Sequence, residues 1–388
     1  MHGSAAGSAG LDTLSVAPPL VKTSLSRTRA LFDKDIKDRR TLGAQLTLSL
    51  GGKSLLELAV GESRPGLPMT QDTSLFWYSC CKPVASVAIG QLLERGKLQL
   101  DDPIARFIPE FGNRGKEGIT LRQVLTHTGG FRGSNQIRPE WGWDEILRFT
   151  CETPLEPGWV PGQKAGYHAV ASWFLLGEII QRIAGRPYPE YVREEIFLPL
   201  GMRDSWVGMP RADYLKAGDQ IGWMFDTRPE QPQIQPFWNS ERDSTECRPG
   251  GNGRGPTREL VRFLEMLRSG GQLLGTRILK KETVELLIHR HRHGLYDETL
   301  MQYVDWGLGF LRPVRRPGQS FLSYGFGEHA TLDSFGHGGM QSAIAFVDPV
   351  HDLSVAWICN GMCGERLHRQ RNHALNTAIY EDLGLALG

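Results

Sequence analysis

Ser79-Cys80-Cys81-Lys82 sets a hydroxyl and an amine three residues apart, at the start of a segment predicted to be helical from about Ser79 to Arg95 and closed near Gly96. Positions i and i+3 share a helix face, so Oγ and Nζ can meet. Pro83 suits a helix that has barely begun and would damage one further along. By themselves the four residues have two readings. A serine that caps a helix, followed by a solvated lysine, gives the same letters as a nucleophile followed by its base. The rest of the chain decides between them.

Length and composition bound the answer. The chain has 388 residues, of which 40% are hydrophobic and 22% charged, with 46 Gly and 23 Pro. That is ordinary globular composition, and about two to three compact units at ~150 residues each. A net charge of +1 leaves no field to gather nucleic acid or anionic lipid. Apolar runs such as Ala343 to Val347 fall far short of a membrane span. Residues 1–20 are rich in Gly, Ala, Ser and Pro and carry no basic start with an apolar core, so they read as a flexible lead-in, and a cytoplasmic setting is expected. Six cysteines without C-x-x-C spacing read as reduced, mostly buried thiols.

Outward from the motif, a first helix is predicted over Ser26–Arg39, and apolar segments Gln45–Leu50 and Ser54–Val60 flank Gly51-Gly52, a hairpin signal. Residues 120–206 follow a helical pattern, including Ala169–Ala184 stopped by Gly185 and Tyr191–Phe197, and 207–256 are loop-rich. A helix over Thr257–Arg268 precedes strand-like runs at Trp306–Leu311, Ser342–Val347 and Leu353–Asn360, and a terminal helix at His368–Leu385. Strands at both ends with helices between predict an α+β fold: one antiparallel sheet built from both chain termini, flanked by helices, beside a mostly helical insert. The expected units are 21–110 with 257–388 as the sheet domain, and 111–256 as the insert lining a cleft.

Three motifs in order give the motif its meaning: Ser79-Cys80-Cys81-Lys82, Tyr167-His168-Ala169, and His337-Gly338-Gly339 before a strand. Gly96-Lys97-Leu98-Gln99-Leu100-Asp101-Asp102-Pro103, Leu125-Thr126-His127-Thr128-Gly129-Gly130 and Leu198-Pro199-Leu200-Gly201-Met202 support them. With these the sequence, from about Thr41 to Ala386, resembles the serine β-lactamase and penicillin-binding-protein superfamily of SxxK acyltransferases, especially esterase and transacylase members related to the class C β-lactamases. The resemblance implies a β-lactamase-like fold, Ser79 as the nucleophile of an acyl-enzyme, Lys82 as first candidate for its base and Tyr167 as partner in proton transfer. It also implies an oxyanion hole from the backbone N–H groups of Ser79 and Met340, substrate contacts along His337, Gly338 and Gly339, and neither cofactor nor metal.

Physics sets the requirement. A lysine half neutral at pH 7 needs its pKa lowered by about 3, on the order of 4 kcal/mol, which burial can supply and a helix N-terminus assists. The same field is expected to favour the phenolate of Tyr167, and which residue takes the proton stays open. Two departures redirect the substrate. His337 stands where a Lys would hold a β-lactam carboxylate, and a neutral imidazole is a poorer anion anchor. Ala169 stands where an Asn contacts substrate.

The expected function is therefore a serine hydrolase acting on an intracellular ester or amide. A transacylase passing the acyl group to an amine or alcohol acceptor is the alternative, then a β-lactamase or DD-peptidase, or a non-catalytic binding protein. The expected partners are a small acyl donor and an acceptor, with no nucleic acid or membrane.

Seven tryptophans fall in the insert, and at least two, Trp141 and Trp238, are expected to line the cleft together with His168. His289, His291 and His293 read as a solvated loop, His127 as scaffold, and Gly251–Gly255 as the lead into the next helix, since no Lys-Ser/Thr follows to make a phosphate loop.

Overall fold

The computed structural model describes residues 25–133, 136–315 and 325–386, the side chains of 54 and 55 excepted. The expected lead-in at 1–20 lies outside the described residues.

Helix α1, Ser26–Lys37, precedes a hairpin of β1, Gly43–Leu50, and β2, Lys53–Arg64, turned by Gly51 and Gly52, both at positive φ. A short β3, Leu67–Pro68, follows. The sheet is not completed locally; its remaining strands come from the far end of the chain. They are β4, Asp305–Trp306; β5, Leu311–Arg312; β6, Phe335–Gly339; β7, Ala343–Asp348; and β8, Leu353–Cys359. Their order is β4-β5-β6-β7-β8-β1-β2-β3, every pairing antiparallel, with Ala44 opposite Cys359 where the two ends of the chain meet. The single strand expected at Trp306–Leu311 is instead a tight hairpin. Gly309, at φ +80°, leaves no room for a Cβ, which would fall 2.0 Å from Ser86 Oγ.

Alternation along each strand buries both faces. Leu46, Leu48, Ile344, Phe346, Val355 and Trp357 belong to a core covered by α1 and by α5, Glu365–Asp382, whose Asp382 accepts from Thr28 Oγ1 at 2.8 Å. Ala345, Val347, Ala356 and Ile358 face the larger core, which also holds α2, Lys82–Glu94, α3, Ala171–Ala184, and α4, Thr257–Arg268. Helix α2 is apolar on nearly all sides and buried from Lys82 to Leu92, as a helix inside a core must be. Helix α3 ends at Gly185, whose φ of 68° supplies the left-handed cap.

Candidate active site

Ser79 does not sit in the α-helix itself. A 3-10 turn, Tyr78–Cys81, runs into α2, which starts at Lys82 with Pro83 in its first turn. Tyr78 is held at φ +47°, a strained value for a tyrosine. The boundary differs from the expected one because Pro83 removes an N–H donor and fits only where no intrahelical bond is required. The separation of three is kept, and Lys82 Nζ lies 2.8 Å from Ser79 Oγ.

Nζ has two further partners, the carbonyls of Ala169 at 3.0 Å and Gly250 at 2.5 Å. Both are pure acceptors. A neutral amine has two protons and one lone pair, so donation to the two carbonyls leaves the lone pair for the hydroxyl proton of Ser79. Burial drives the pKa of Lys82 down to about 7 against opposing contributions from Cys81 and Cys80. The rings of Tyr167 and Trp173 stand 5.4 and 5.2 Å from Nζ.

Tyr167 comes from the loop before α3, and its hydroxyl donates to Ser79 Oγ at 2.9 Å. The expectation that this phenol would ionise readily is corrected. Burial raises its pKa, outweighing the opposite effect of the bond to Ser79, so Tyr167 stays a proton donor. Its ring is flanked by His127 at 4.7 Å and Trp306 at 5.8 Å. His127, at φ +59°, accepts from His168 N through Nδ1 and is wholly buried, a scaffold residue.

The third wall is β6. A Cβ on Gly339 would fall 2.4 Å from the carbonyl oxygen of Trp77 and 3.2 Å from Cβ of Tyr78, so the strand end crosses directly over the turn that carries Ser79. Cys80 Sγ donates to the carbonyl of His337 at 3.2 Å and fixes the same crossing. Ser79 is the second residue of its turn, where backbone N–H groups have no intrahelical acceptor, and Met340 follows Gly339 at the strand end. These are the places where an oxyanion would find donors.

Several expected contacts are placed elsewhere. His168 is wholly buried, with Nδ1 2.5 Å from Ser172 Oγ, so it packs behind the cleft and does not line it. His337 is buried beside Trp306 and Tyr167, its Nδ1–H donating to the carbonyl of Gly338 at 2.8 Å. Burial and the nearby Lys82 push its pKa to about 3, so it is a neutral ring at any physiological pH. Trp141 reaches the cleft only through Phe149, its ring neighbour at 5.3 Å. Trp238 stands edge-on to Tyr78 at 5.0 Å, in an apolar cluster with Phe76 and Met340. The run Gly251–Gly255 packs on the turn that carries Ser79, since a Cβ on Gly253 would fall 2.5 Å from that of Cys81. In the histidine run His289 and His293 are exposed, as expected, while His291 is half-buried and accepts from Arg122 at 2.9 Å, and the neighbouring Arg292 is buried.

A cleft of about 810 Å³ opens beside Tyr167 and Ala169, walled by Arg132, Phe149, Glu156, Glu298 and Thr299. All six cysteines are unpaired, and burial raises the pKa of Cys80 and Cys81, which keeps both as inert thiols. Among the described residues no cluster of His, Cys, Asp or Glu is placed to hold a metal ion, and no helix is long and apolar enough to cross a membrane.

Comparison with known proteins agrees with this fold. The profile of the Beta-lactamase family matches residues 28–378. Esterase EstB of Burkholderia gladioli is 27% identical, over 92% of this chain and 95% of its own. Esterase/beta-lactamase LipL of Mycobacterium tuberculosis is 24% identical, over 88% and 82%. The crystal structure of a penicillin-binding protein homolog from Caulobacter crescentus superposes with a TM-score of 0.73 at 28% identity, over 92% of this chain and 97% of that one. The chain belongs to the Beta-lactamase family.

Proposed function

We propose that this family member is a serine esterase-like hydrolase that works through an acyl intermediate on Ser79. The observation that carries the reading is the pair of contacts on one oxygen: Lys82 Nζ at 2.8 Å and Tyr167 OH at 2.9 Å from Ser79 Oγ. Lys82, neutral in about half the molecules near pH 7, takes the Ser79 proton as Oγ attacks the acyl carbon. Backbone N–H groups of Ser79 and Met340 receive the oxyanion, each worth about 3 kcal/mol of transition-state stabilisation. Tyr167 gives its proton to the departing alkoxide while the Lys82 ammonium replaces it, so no free phenolate accumulates. Water then attacks the acyl carbon, and the protons return by the same route.

Esterase relatives support the reaction class, and His337 weighs against a β-lactam or peptide carboxylate, because a neutral buried ring offers that anion no charge. The non-catalytic alternative loses its motive at Ala169, whose main-chain carbonyl accepts from Lys82. A cytoplasmic setting remains part of the proposal, and six free, mostly buried thiols are compatible with it. The direct test is mass spectrometry after a fluorophosphonate probe: one adduct on Ser79 is expected, and an unlabelled folded protein would falsify the assignment.

Transfer to an amine or alcohol is the second reading. A cleft of about 810 Å³ has room for an acyl group and an acceptor together. Product partition between acid and amide with an activated ester and an added amine separates the two.

A further inference from the structure

Asp297 is wholly buried, far from Tyr167 in sequence, and touches neither Ser79 nor Lys82 through any bond described above. We propose that Asp297 is the positioning residue for Tyr167, holding its phenol on Ser79 and fixing the adjoining wall of the cleft through the same carboxylate oxygen. The proposal rests on the reading of Tyr167 as the proton donor to the leaving group.

Oδ1 of Asp297 accepts the backbone N–H of Tyr167 at 3.0 Å. It also accepts from Thr299 N at 3.0 Å and Leu300 N at 2.9 Å, which folds the chain after it into a tight turn. Glu298 N donates to the carbonyl of Ala165 at 2.9 Å, so 165–167 and 297–298 are tied at two points. Glu298 and Thr299 then stand in the cleft wall beside Tyr167.

The other oxygen, Oδ2, faces Arg292 Nη2 at 2.8 Å, in an ion pair whose side chains are 1% and 0% exposed. Arg292 in turn donates to the carbonyls of Thr126 at 3.1 Å and Val304 at 3.2 Å and lies over the ring of Trp306. Thr126 precedes His127, and both His127 and Trp306 press on the Tyr167 ring. The backbone of Tyr167 and two of the rings packed on it, His127 and Trp306, therefore return to one Asp–Arg pair. Burial keeps the phenol protonated, and Asp297 adds a small contribution in the same direction.

A buried carboxylate with a structural role alone would, when altered, slow all substrates alike. One that aims a proton donor matters most where the leaving group needs the proton. The test compares kcat/KM for p-nitrophenyl acetate, whose leaving group departs unaided, with ethyl acetate, whose alkoxide does not. Wild type, Tyr167→Phe and Asp297→Asn are measured side by side. This ratio does not depend on the folded fraction of a sample. In both variants it is expected to move at least about tenfold in favour of the nitrophenyl ester.

A changed ratio in Tyr167→Phe with an unchanged one in Asp297→Asn overturns the proposal for Asp297. An unchanged ratio in Tyr167→Phe overturns the proton-donor reading itself. Should Asp297→Asn give no soluble protein, Asp297→Glu keeps the charge toward Arg292 but displaces Oδ1. A wild-type ratio in that variant counts against the proposal equally.

Discussion

The carbonyl of Gly250 accepts a hydrogen bond from Lys82 Nζ at 2.5 Å, across 168 positions of sequence. With Ala169 O it takes both protons of a neutral amine and aims the lone pair at Ser79. Two main-chain carbonyls thus orient the amine that we propose as the base.

Acylation should follow the ionisation of that amine. As the proposed base, Lys82 would act only when unprotonated, so kcat/KM for a neutral ester is expected to rise with pH through about 7 and level off above it. A pH–rate profile flat from pH 5 to 9 would remove Lys82 as the base.

The same proton links to stability. In the folded protein Lys82 titrates near 7, against 10.5 for the ordinary side chain. Between those values the unfolded chain binds the extra proton, so the contribution of this group to stability grows as pH rises through that window. Lys82→Met has no such proton, and the difference in Tm between it and wild type should shift toward wild type from pH 7 to 10. A constant difference would mean that the folded amine keeps its proton.

Lys82→Ala and Tyr167→Phe are each expected to slow the acylation burst by about 10²–10⁴ with circular dichroism unchanged. Stopped-flow release of p-nitrophenol measures it, and a fast Lys82→Ala enzyme would require another base.

Gly339→Ala places a methyl 2.4 Å from the carbonyl of Trp77. Backbone must move on one side of the oxyanion site, so the variant should lose about 1–3 kcal/mol of stability in chemical denaturation. Its acylation rate should fall as well. Wild-type rates in a stable variant would mean that β6 does not set the oxyanion donors.

Because His337 stays neutral, an ester carrying a free carboxylate should turn over no faster than its methyl-capped counterpart at any pH from 5 to 8. A strong preference for the acid would point to Arg132 or Arg114 in the cleft wall as the anchor.

That Ser79, Lys82 and Tyr167 come together was legible because a known order of motifs linked them. Strand and helix positions followed from periodicity: α4 spans Thr257–Arg268 as expected, and β7 and β8 lie within a residue of their predicted ends. What the residues could not announce is the part made by backbone. The acceptors at Ala169 and Gly250 have no side-chain signature, and the crossing of Gly339 over Trp77 depends on a sheet assembled over the whole chain. Asp297 escaped for a related reason, since an acidic residue in a polar stretch gives no hint that it will be buried against Arg292. His168 misled in the opposite sense, because its place next to Tyr167 in sequence puts it behind the ring.

The meeting of β1 with β8 at Ala44 and Cys359 has a consequence for biogenesis. A nascent chain on the ribosome cannot close this sheet until its final strands emerge, and until then β1 offers an unpaired edge to any neighbour. Competence and protection from aggregation should therefore arrive together, late and in one step, and chaperone dependence during synthesis should be greatest for this N-terminal hairpin.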